Sequence, residues 1–234
     1  MRSLLVKFEF MSLAYEDVIF RLKTLPQVSR IEYQARSPAN QADFEVWTKR
    51  NDVDLPQDLV SFYRQRNGLD ACWHFGTEDK VAGRFLLNQV QDIRVIRVRH
   101  KTSDVPFGIL SKDSYGTVFI SLSNSLERGS VWFLPGSYSV SMDITINDLH
   151  MLCESFSSYY RLMSLHFGII CWQYAFVPQL GLPIFTRLLM ARFCPDRLSI
   201  DLALAHQLNT DASATVLPEC GQVKFGAGIL ASIS

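Results

Sequence analysis

The middle of the chain constrains the fold most, because short β-prone segments there alternate with turn-forming residues. Turn formers stand at 113–116, 128–129 and 135–136. The β-prone segments, rich in branched and aromatic side chains, are 72–75, 84–87, 105–110, 117–120 and 131–134. Strands joined by such short turns usually pair with their sequence neighbours in antiparallel fashion. The pattern therefore predicts an antiparallel sheet over residues 70–135.

Two helices and a strand are predicted before this sheet. Residues 12–24 place apolar side chains at helical spacing behind a serine cap. Residues 28–33 alternate between apolar and polar side chains and predict a short strand. Residues 43–50 predict a second helix, in which Phe44 and Trp47 share one face because they are three positions apart.

A third helix is predicted over residues 56–66. Pro56 suits its first turn, where the missing amide hydrogen would have no partner in any case. Asn67 and Gly68 follow, and glycine tolerates the positive φ that commonly ends a helix. The apolar stripe of this helix consists of Leu59, Phe62 and Tyr63.

A long helix is predicted after the sheet, over residues 146–167, with Asp148 in its first turn. With the earlier elements, this gives an α+β domain. Helices come first, an antiparallel sheet follows, and the long C-terminal helix packs on that sheet.

Charge argues against a nucleic-acid partner. Lys plus Arg and Asp plus Glu both number 23, so the formal net charge is zero. Nucleic-acid-binding domains usually carry a basic excess that displaces phosphate counterions. No zinc-finger or RNA-binding motif occurs in the sequence either.

The cysteines and histidines show no spacing typical of a metal site. The five cysteines, Cys72, Cys153, Cys171, Cys194 and Cys220, contain no Cys-x-x-Cys pair. The five histidines show no His-Glu-x-x-His pattern. We therefore expect reduced thiols in a cytosolic compartment, and we expect no metal and no cofactor.

No catalytic constellation emerges from the sequence. Cys153 and His166 could pair as nucleophile and base, but they lie 13 positions apart on one predicted helix, or about 20 Å at 1.5 Å per residue. The Gly-x-Ser-x-Gly motif of serine hydrolases and a phosphate-binding glycine-rich loop are both missing. We therefore predict that the chain is not an enzyme.

Two segments resemble a signal peptide or a membrane span but lack the uninterrupted apolar length that each requires. The N-terminal apolar run is interrupted by Lys7 and Glu9, which argues against a signal peptide. No charged residue lies between Arg161 and Arg187, but helix breakers interrupt that stretch at Gly168, Pro178, Gly181 and Pro183. A buried helix–turn–helix explains it better than a membrane span.

Two motifs carry a resemblance to known families. Residues 55–68, which join Leu-Pro, a helix and Asn-Gly, resemble the opening of SUKH-superfamily domains, which leads into an antiparallel sheet. Residues 155–176 are similar to a signature of the tubulin polyglutamylase complex subunit 2 family. That signature combines Tyr159-Tyr160-Arg161-Leu162, His166-Phe167-Gly168 and Trp172-Gln173-Tyr174-Ala175-Phe176. Glu45, Trp47 and Trp73 also fit the family.

The resemblance covers residues 12–195 and implies a SUKH-like domain with a family-specific C-terminal helical segment. Residues 1–11 would be an N-terminal extension, and residues 196–234 a C-terminal extension of unknown role. Family members extend into a long polar, basic tail, whereas this chain ends in an apolar Gly-Ala-Gly-Ile-Leu stretch before its last residues.

The family implies a non-catalytic adaptor in a complex that adds glutamate chains to the acidic tails of tubulin. A separate tubulin-tyrosine-ligase-like subunit would carry out the ligation with ATP and magnesium. Implied partners are this catalytic subunit, other complex subunits and possibly tubulin, with no nucleic acid and no membrane. The implied location is the cytoplasm and cytoskeleton: microtubules, basal body and cilium. The alternative is a generic SUKH-type protein-binding module with a different partner.

Two groups of residues are candidate sites. The aromatic residues of the signature either dock a partner or pack the last helix against the sheet, and packing is favoured for most of them. Arg161 is expected to form a structural ion pair. The signature group comprises Trp47, Trp73, Tyr159, Tyr160, Arg161, Trp172, Gln173 and Tyr174. The second group is a basic stretch, either a solvated face or a contact for an acidic tubulin tail, formed by Arg94, Arg97, Arg99 and Lys101.

Overall fold

The structure, a computed structural model, describes residues 17–77, 79–139 and 142–212, with side chains up to residue 207. The predicted start of the first helix, at residue 12, and the N-terminal extension lie outside these residues. The helices are α1 (17–24), α2 (Gln41–Asn51), α3 (Gln57–Tyr63), α4 (Phe156–Leu165), α5 (Ile184–Phe193) and α6 (Pro195–Ala212). The strands are β1 (Val28–Tyr33), β2 (Leu69–Phe75), β3 (Lys80–Leu87), β4 (Val95–His100), β5 (Ser103–Lys112), β6 (Gly116–Ser121), β7 (Val131–Pro135) and β8 (His150–Cys153). Short 3-10 turns form at Val90–Asp92, Ile146–Asp148 and Trp172–Phe176.

The predicted α+β class and antiparallel pairing are confirmed, but the strands form two sheets rather than one. β1, β2 and β3 make a three-stranded sheet in that order. β4 to β8 make a five-stranded sheet, also in sequence order. The chain passes from one sheet to the other through the 3-10 turn Val90–Asp92. No strand was predicted at β4, because Arg97 and Arg99 gave this segment the composition of a basic surface stretch. Val98 between them is nevertheless fully buried.

The main core lies between the helices and one face of each sheet. All residues of β6 are buried, so the five-stranded sheet is covered on both faces. Val118 and Ile120 face the main core, whereas Phe119 faces a second, smaller core with Val98 and Phe107. That smaller core is closed by Tyr138, Ile144 and Leu149.

The helices α2 and α3, which lie between β1 and β2, form close to their predicted positions, although α3 ends at Tyr63 rather than at residue 66. Asn40 and Asp43 cap α2 reciprocally, through an Asn40 Oδ1 that accepts from the Asp43 amide at 3.0 Å. The predicted stripe of α3 is buried, and its Tyr63 hydroxyl donates to the Asn88 carbonyl at 2.7 Å. Gly68 then adopts φ +86° where a β-carbon would lie 2.7 Å from the Leu87 carbonyl oxygen. Glycine is therefore required at this turn.

The predicted long helix over residues 146–167 is wrong. A capping box between Thr145 and Asp148 closes after one 3-10 turn. β8 then pairs with β7, and α4 begins only at Phe156 behind the cap Ser155. The mainly apolar segment 149–152 is too short to show whether its side chains follow helical or strand periodicity. It forms a strand because the backbone groups at the edge of β7 need hydrogen-bond partners.

The segment after α4 turns back through Trp172–Phe176 into α5 and α6, which pack against each other. Within the described residues, every helix is too short or too polar to cross a membrane.

Candidate functional site

The tyrosines and the tryptophan of the signature segment are buried. Tyr159, Tyr160, Trp172 and Tyr174 expose between 1% and 4% of their surface. Tyr159 and Trp172 pack with their ring centroids 5.9 Å apart, and Tyr160 packs on Phe62 of α3. These rings therefore lie in the packing between α4, the following turn and the sheets.

The tyrosine hydroxyls in this packing have hydrogen-bond partners. Tyr174 donates to the Tyr115 carbonyl at 2.8 Å, and burial raises the pKa of Tyr174 to about 12. Gln173 is half-buried and hydrogen-bonds the Tyr159 hydroxyl. Burial also raises the pKa of Tyr159, so this hydroxyl is neutral at physiological pH. Gln173 therefore holds a buried tyrosine in place.

The His-x-Gly part of the signature fastens the chain to the outer edge of β3. Trp73 is fully buried and donates its indole N–H to the Phe167 carbonyl at 2.8 Å. The Arg84 amide donates to the Gly168 carbonyl at 2.6 Å. Gly168 has φ +60°, and a β-carbon there would lie 2.8 Å from the Arg84 carbonyl oxygen. The motif thus covers a strand edge that would otherwise be unpaired.

His166 itself belongs to a buried polar cluster that reaches α6. Its Nε2 lies 2.7 Å from Oδ2 of Asp201, and both side chains are fully buried. Its Nδ1 donates to the Leu162 carbonyl at 2.6 Å, because a carbonyl oxygen only accepts. Arg197, one turn earlier on α6, pairs with the same carboxylate. The His166 ring stacks on Trp172 at 4.4 Å between centroids.

This cluster bears on the predicted boundary at residue 196. Asp201 lies beyond that boundary, yet its carboxylate is buried against His166 inside the signature segment. A buried carboxylate is tolerated only when it is paired and hydrogen-bonded, as Asp201 is. The signature segment and α6 are therefore packed together through charged groups.

Trp47 fixes α2 to the crossing between the two sheets. Its side chain is 1% exposed, and its indole N–H donates to the Ile93 carbonyl at 2.9 Å. Trp47 and Trp73 thus both use the indole to satisfy a carbonyl of a distant loop.

The expectation for Arg161 is wrong. Arg161 is exposed on α4 and forms no salt bridge with any described residue. Helical spacing places it opposite Tyr160 and Met163, which are buried, so it faces outward.

The basic stretch lies at the outer edge of the five-stranded sheet. Arg97 and Arg99 are exposed on one face of β4 because they are two positions apart. Arg99 pairs with Asp143 at 2.7 Å and stands opposite Asp104 in the register. Among the described residues, no carboxylate forms a salt bridge with the exposed Arg94, Arg97 or Lys101. Three of the four predicted cations are therefore available to an acidic ligand.

Cys153 and His166 do not form a nucleophile–base pair, although the reason differs from the predicted one. Cys153 ends β8 rather than lying on the helix, and its thiol donates to the Ser155 carbonyl at 3.3 Å. Burial raises the pKa of Cys153 to about 12, which keeps the thiol protonated. Both ring nitrogens of His166 are occupied by Leu162 and Asp201.

One cluster was missed by the sequence analysis. The side chains of Glu32, Cys72 and His74 converge on the first sheet, with their donor atoms all within 4.8 Å of one another. Burial and the neighbouring Glu32 raise the pKa of the Cys72 thiol. A Cys-x-His pair within a predicted strand was the available signal, because alternate residues share a face. The glutamate could be added only once the register of β1 on β2 was known.

Comparison with known proteins agrees with the family resemblance. No family model matches the chain. Tubulin polyglutamylase complex subunit 2 of Homo sapiens is 22% identical over 182 residues, which cover 66% of this chain and 61% of the human protein. The same subunit of Rattus norvegicus is 23% identical over 184 residues, and that of Mus musculus 20% identical over 192 residues.

The matched region spans only 61–62% of the length of these curated relatives. The three similarities are distant and mutually consistent, and they point to the same subunit that the signature segment suggested. The chain is therefore a distant relative of tubulin polyglutamylase complex subunit 2.

Proposed function

We propose that the chain is a non-catalytic adaptor subunit of a tubulin polyglutamylase complex. The observation that carries this proposal is the similarity to subunit 2 from three mammals. In this role the chain supports the addition of glutamate to tubulin tails, while a separate tubulin-tyrosine-ligase-like subunit performs the ligation. The chain itself then needs no cofactor.

The geometry of the signature segment supports an adaptor more than an enzyme. Its histidine, tyrosines and tryptophan are buried and engaged in packing or hydrogen bonds. A catalytic group must reach a substrate, and these groups face the interior. Resemblance in this segment therefore supports a shared scaffold, on which exposed surfaces bind the other subunits.

The proposal includes a cellular location and a set of partners. We expect the chain at microtubules, the basal body and the cilium, with the ligase subunit and the remaining complex subunits. Direct contact with tubulin would use the exposed cations of the basic stretch, because tubulin tails are acidic.

Co-purification of defined components tests the proposal. The tagged full chain is co-expressed with a tubulin-tyrosine-ligase-like subunit and the other complex subunits, and the assembly is analysed by size-exclusion chromatography. We expect the chain and the ligase to elute together. A matched sample with an unrelated α+β protein carrying the same tag should leave the ligase free. Separate elution under all buffer conditions would contradict the adaptor role.

The second candidate function is a generic SUKH-type protein-binding module with a different partner. It is favoured by the Leu-Pro helix α3, which ends at Tyr63 and is followed by Asn67-Gly68 and an antiparallel sheet. If the full chain elutes apart from all polyglutamylase subunits but stays folded by circular dichroism, this candidate replaces the first.

A further inference from the structure

The outer face of the three-stranded sheet brings together a set of metal-binding groups. Cys72 and His74 alternate on β2, so their side chains leave the strand on the same side. Glu32 on β1 is the direct partner of Cys72 in the register. The three donor groups thus come from two adjacent strands, which fix their spacing without any loop.

The pairwise distances between the three donor groups are close to those around a tetrahedral zinc ion. The Cys72 Sγ lies 3.6 Å from His74 Nε2 and 3.7 Å from Glu32 Oε2. His74 Nε2 lies 3.8 Å from Glu32 Oε1. With bonds of about 2.3 Å to sulfur and about 2.0–2.2 Å to nitrogen and oxygen, tetrahedral ligand atoms are about 3.3–3.6 Å apart. The two glutamate distances are to different oxygens, so the half-exposed Glu32 carboxylate must rotate to present its oxygens to one ion.

The histidine is already oriented as a ligand. Its Nδ1 lies 2.8 Å from the Asp79 carbonyl oxygen, which can only accept, so Nδ1 carries the proton. In the neutral ring, the lone pair is then on Nε2, the nitrogen that faces Cys72 and Glu32. A hydrogen bond from the far nitrogen to a carbonyl is the usual support of a metal-bound histidine. The His74 side chain is only 7% exposed, so this orientation is held by packing.

We propose that Glu32, Cys72 and His74 bind a zinc ion, with the fourth position open to water or to a ligand atom from a partner. A thiolate, an imidazole and a carboxylate are all donors that zinc accepts, and together they favour it over the harder magnesium and calcium ions. An open pocket lined by Glu32, Cys72, Asp70 and Arg84 borders the cluster and gives the fourth position access to solvent.

Arg30 is the competing cation. Its Nε lies 3.0 Å from Glu32 Oε1, and its Nη2 lies 3.5 Å from His74 Nε2. The same Nη2 is 2.9 Å from Asp79 Oδ2, and the side chain is 51% exposed. Arg30 therefore keeps a carboxylate partner in Asp79 when zinc takes Glu32. Removing Arg30 should strengthen zinc binding, whereas a salt-bridge network without metal would simply lose one member.

Titration of the full chain with zinc and cobalt, after treatment with a chelator, tests this site. We expect one equivalent to bind with a dissociation constant at or below about 1 μM. The cobalt complex should show a thiolate charge-transfer band. Cys72→Ser should abolish that band, and His74→Gln and Glu32→Gln should weaken zinc binding more than about ten-fold. Arg30→Ala should tighten it, and Arg192→Ala, on α5, should leave it unchanged.

Three further variants serve as controls for other metal-binding groups. Cys153→Ser and His150→Gln remove ligand types elsewhere in the described chain. Cys220→Ser removes a thiol outside the described residues. All three should bind zinc like the wild type. Binding that survives Cys72→Ser and His74→Gln, or that disappears with Cys220→Ser alone, would overturn the proposal, as would the absence of binding by the wild type.

A measurement on the unmodified chain avoids any folding defect of the variants. Iodoacetamide labelling with peptide mapping gives the rate at which each cysteine reacts. Zinc should slow the labelling of Cys72 at least ten-fold and leave Cys153 unchanged. Equal rates for Cys72 with and without saturating zinc would contradict the assignment, whatever the variants show.

Discussion

At the scale of single residues, the buried pair of His166 and Asp201 is the interaction most sensitive to substitution. Both side chains are fully buried, and Arg197 pairs with the same carboxylate. Removing one member of a buried, hydrogen-bonded cluster leaves the remaining buried polar groups short of a partner, which costs roughly 3–5 kcal/mol where a charged group is involved.

We therefore predict that His166→Ala and Asp201→Ala each lower the free energy of unfolding by roughly 3–5 kcal/mol. The double variant should lose clearly less than the sum of the two, because the two side chains contact each other directly. Chemical denaturation of the four proteins in this cycle measures the coupling. Strictly additive losses would show that the two side chains do not interact.

Trp172 provides a second test at this scale. It is 1% exposed and lies between His166, Tyr159 and Phe176. Trp172→Ala should destabilise the chain by roughly 3–5 kcal/mol. Phe20→Ala is the control, because Phe20 is an aromatic residue on α1 that is 69% exposed. A Trp172→Ala variant that melts like the wild type yet no longer elutes with the ligase subunit would place the indole at an interface.

Comparing alanine substitutions at Gly83 and Gly76 distinguishes the cost of a steric clash from the cost of a strained backbone. A β-carbon at Gly83 would lie 2.1 Å from the buried Trp73 Nε1, and Gly83 is not among the residues with positive φ. Gly76 has φ +77°, and a β-carbon there would have nothing within 4 Å of it. We predict that Gly83→Ala costs at least the roughly 1–3 kcal/mol typical of overpacking.

Gly76→Ala should cost about 1–2 kcal/mol, from the left-handed backbone alone. Thermal unfolding of both variants gives the comparison. If Gly83→Ala unfolds at the wild-type temperature, the Trp73 indole does not pack against β3 in the way described.

At the scale of elements, the sequence predicted those that are specified locally. The apolar spacing of α2 and α3 depends on neighbours within four positions, so these helices could be predicted from the local sequence. β8 could not, because its run of four residues becomes a strand only by pairing with β7. The split into two sheets likewise depends on how the turn Val90–Asp92 crosses the core.

The candidate sites divide in the same way. For the signature aromatic residues, the sequence left both packing and docking open, and their near-complete burial became visible only in the structure. His166 and Asp201 are 35 positions apart in the sequence, and Glu32 and Cys72 are 40 apart. Contacts between such distant residues cannot be predicted from a local sequence pattern. Arg99 could not be distinguished from Arg97 until its partner Asp143, 44 positions away, was placed.

Removal of α6 tests whether that helix belongs to the folded unit. A chain ending at residue 194 loses Asp201 and leaves His166 buried with an empty neighbouring site. We predict that it unfolds at clearly lower denaturant concentration than a chain ending at residue 212, which keeps every described contact. Equal midpoints for the two truncated chains would mean that α6 adds nothing to the stability of the domain.

The basic stretch is the element that we expect to meet a tubulin tail. Exposed ion pairs contribute only about 0–1 kcal/mol each, so single substitutions should have little effect. Reversing Arg94, Arg97 and Lys101 to Glu should strongly weaken binding of an acidic tail peptide by the assembled complex. Added salt should remove the difference, since screening acts over about 8 Å at physiological ionic strength.

The matched control reverses the same number of exposed arginines on α4 and α5: Arg161, Arg187 and Arg192. Both variants change the net charge equally, so only position distinguishes them. Circular dichroism confirms that each is folded. Equal binding by the two variants at low salt would make the basic stretch an ordinary solvated face.

At the scale of the whole molecule, we expect this chain to act as a scaffold while a separate subunit carries out the chemistry. The similarity to subunit 2 and the burial of the signature segment support a chain that assists a ligase without adding glutamate itself. Zinc binding on the first sheet is independent of this role, and either could fail without the other.

The most direct measurement of the central claim is glutamate incorporation into tubulin by purified components. The reaction contains ATP, magnesium, labelled glutamate and tubulin, with this chain alone, with the ligase subunit and the other complex subunits, or with all of them together. We predict no incorporation by the chain alone and a higher rate in the complete mixture than in the one that lacks this chain. Incorporation by the chain in a preparation free of ligase, or equal rates with and without it, would contradict the account.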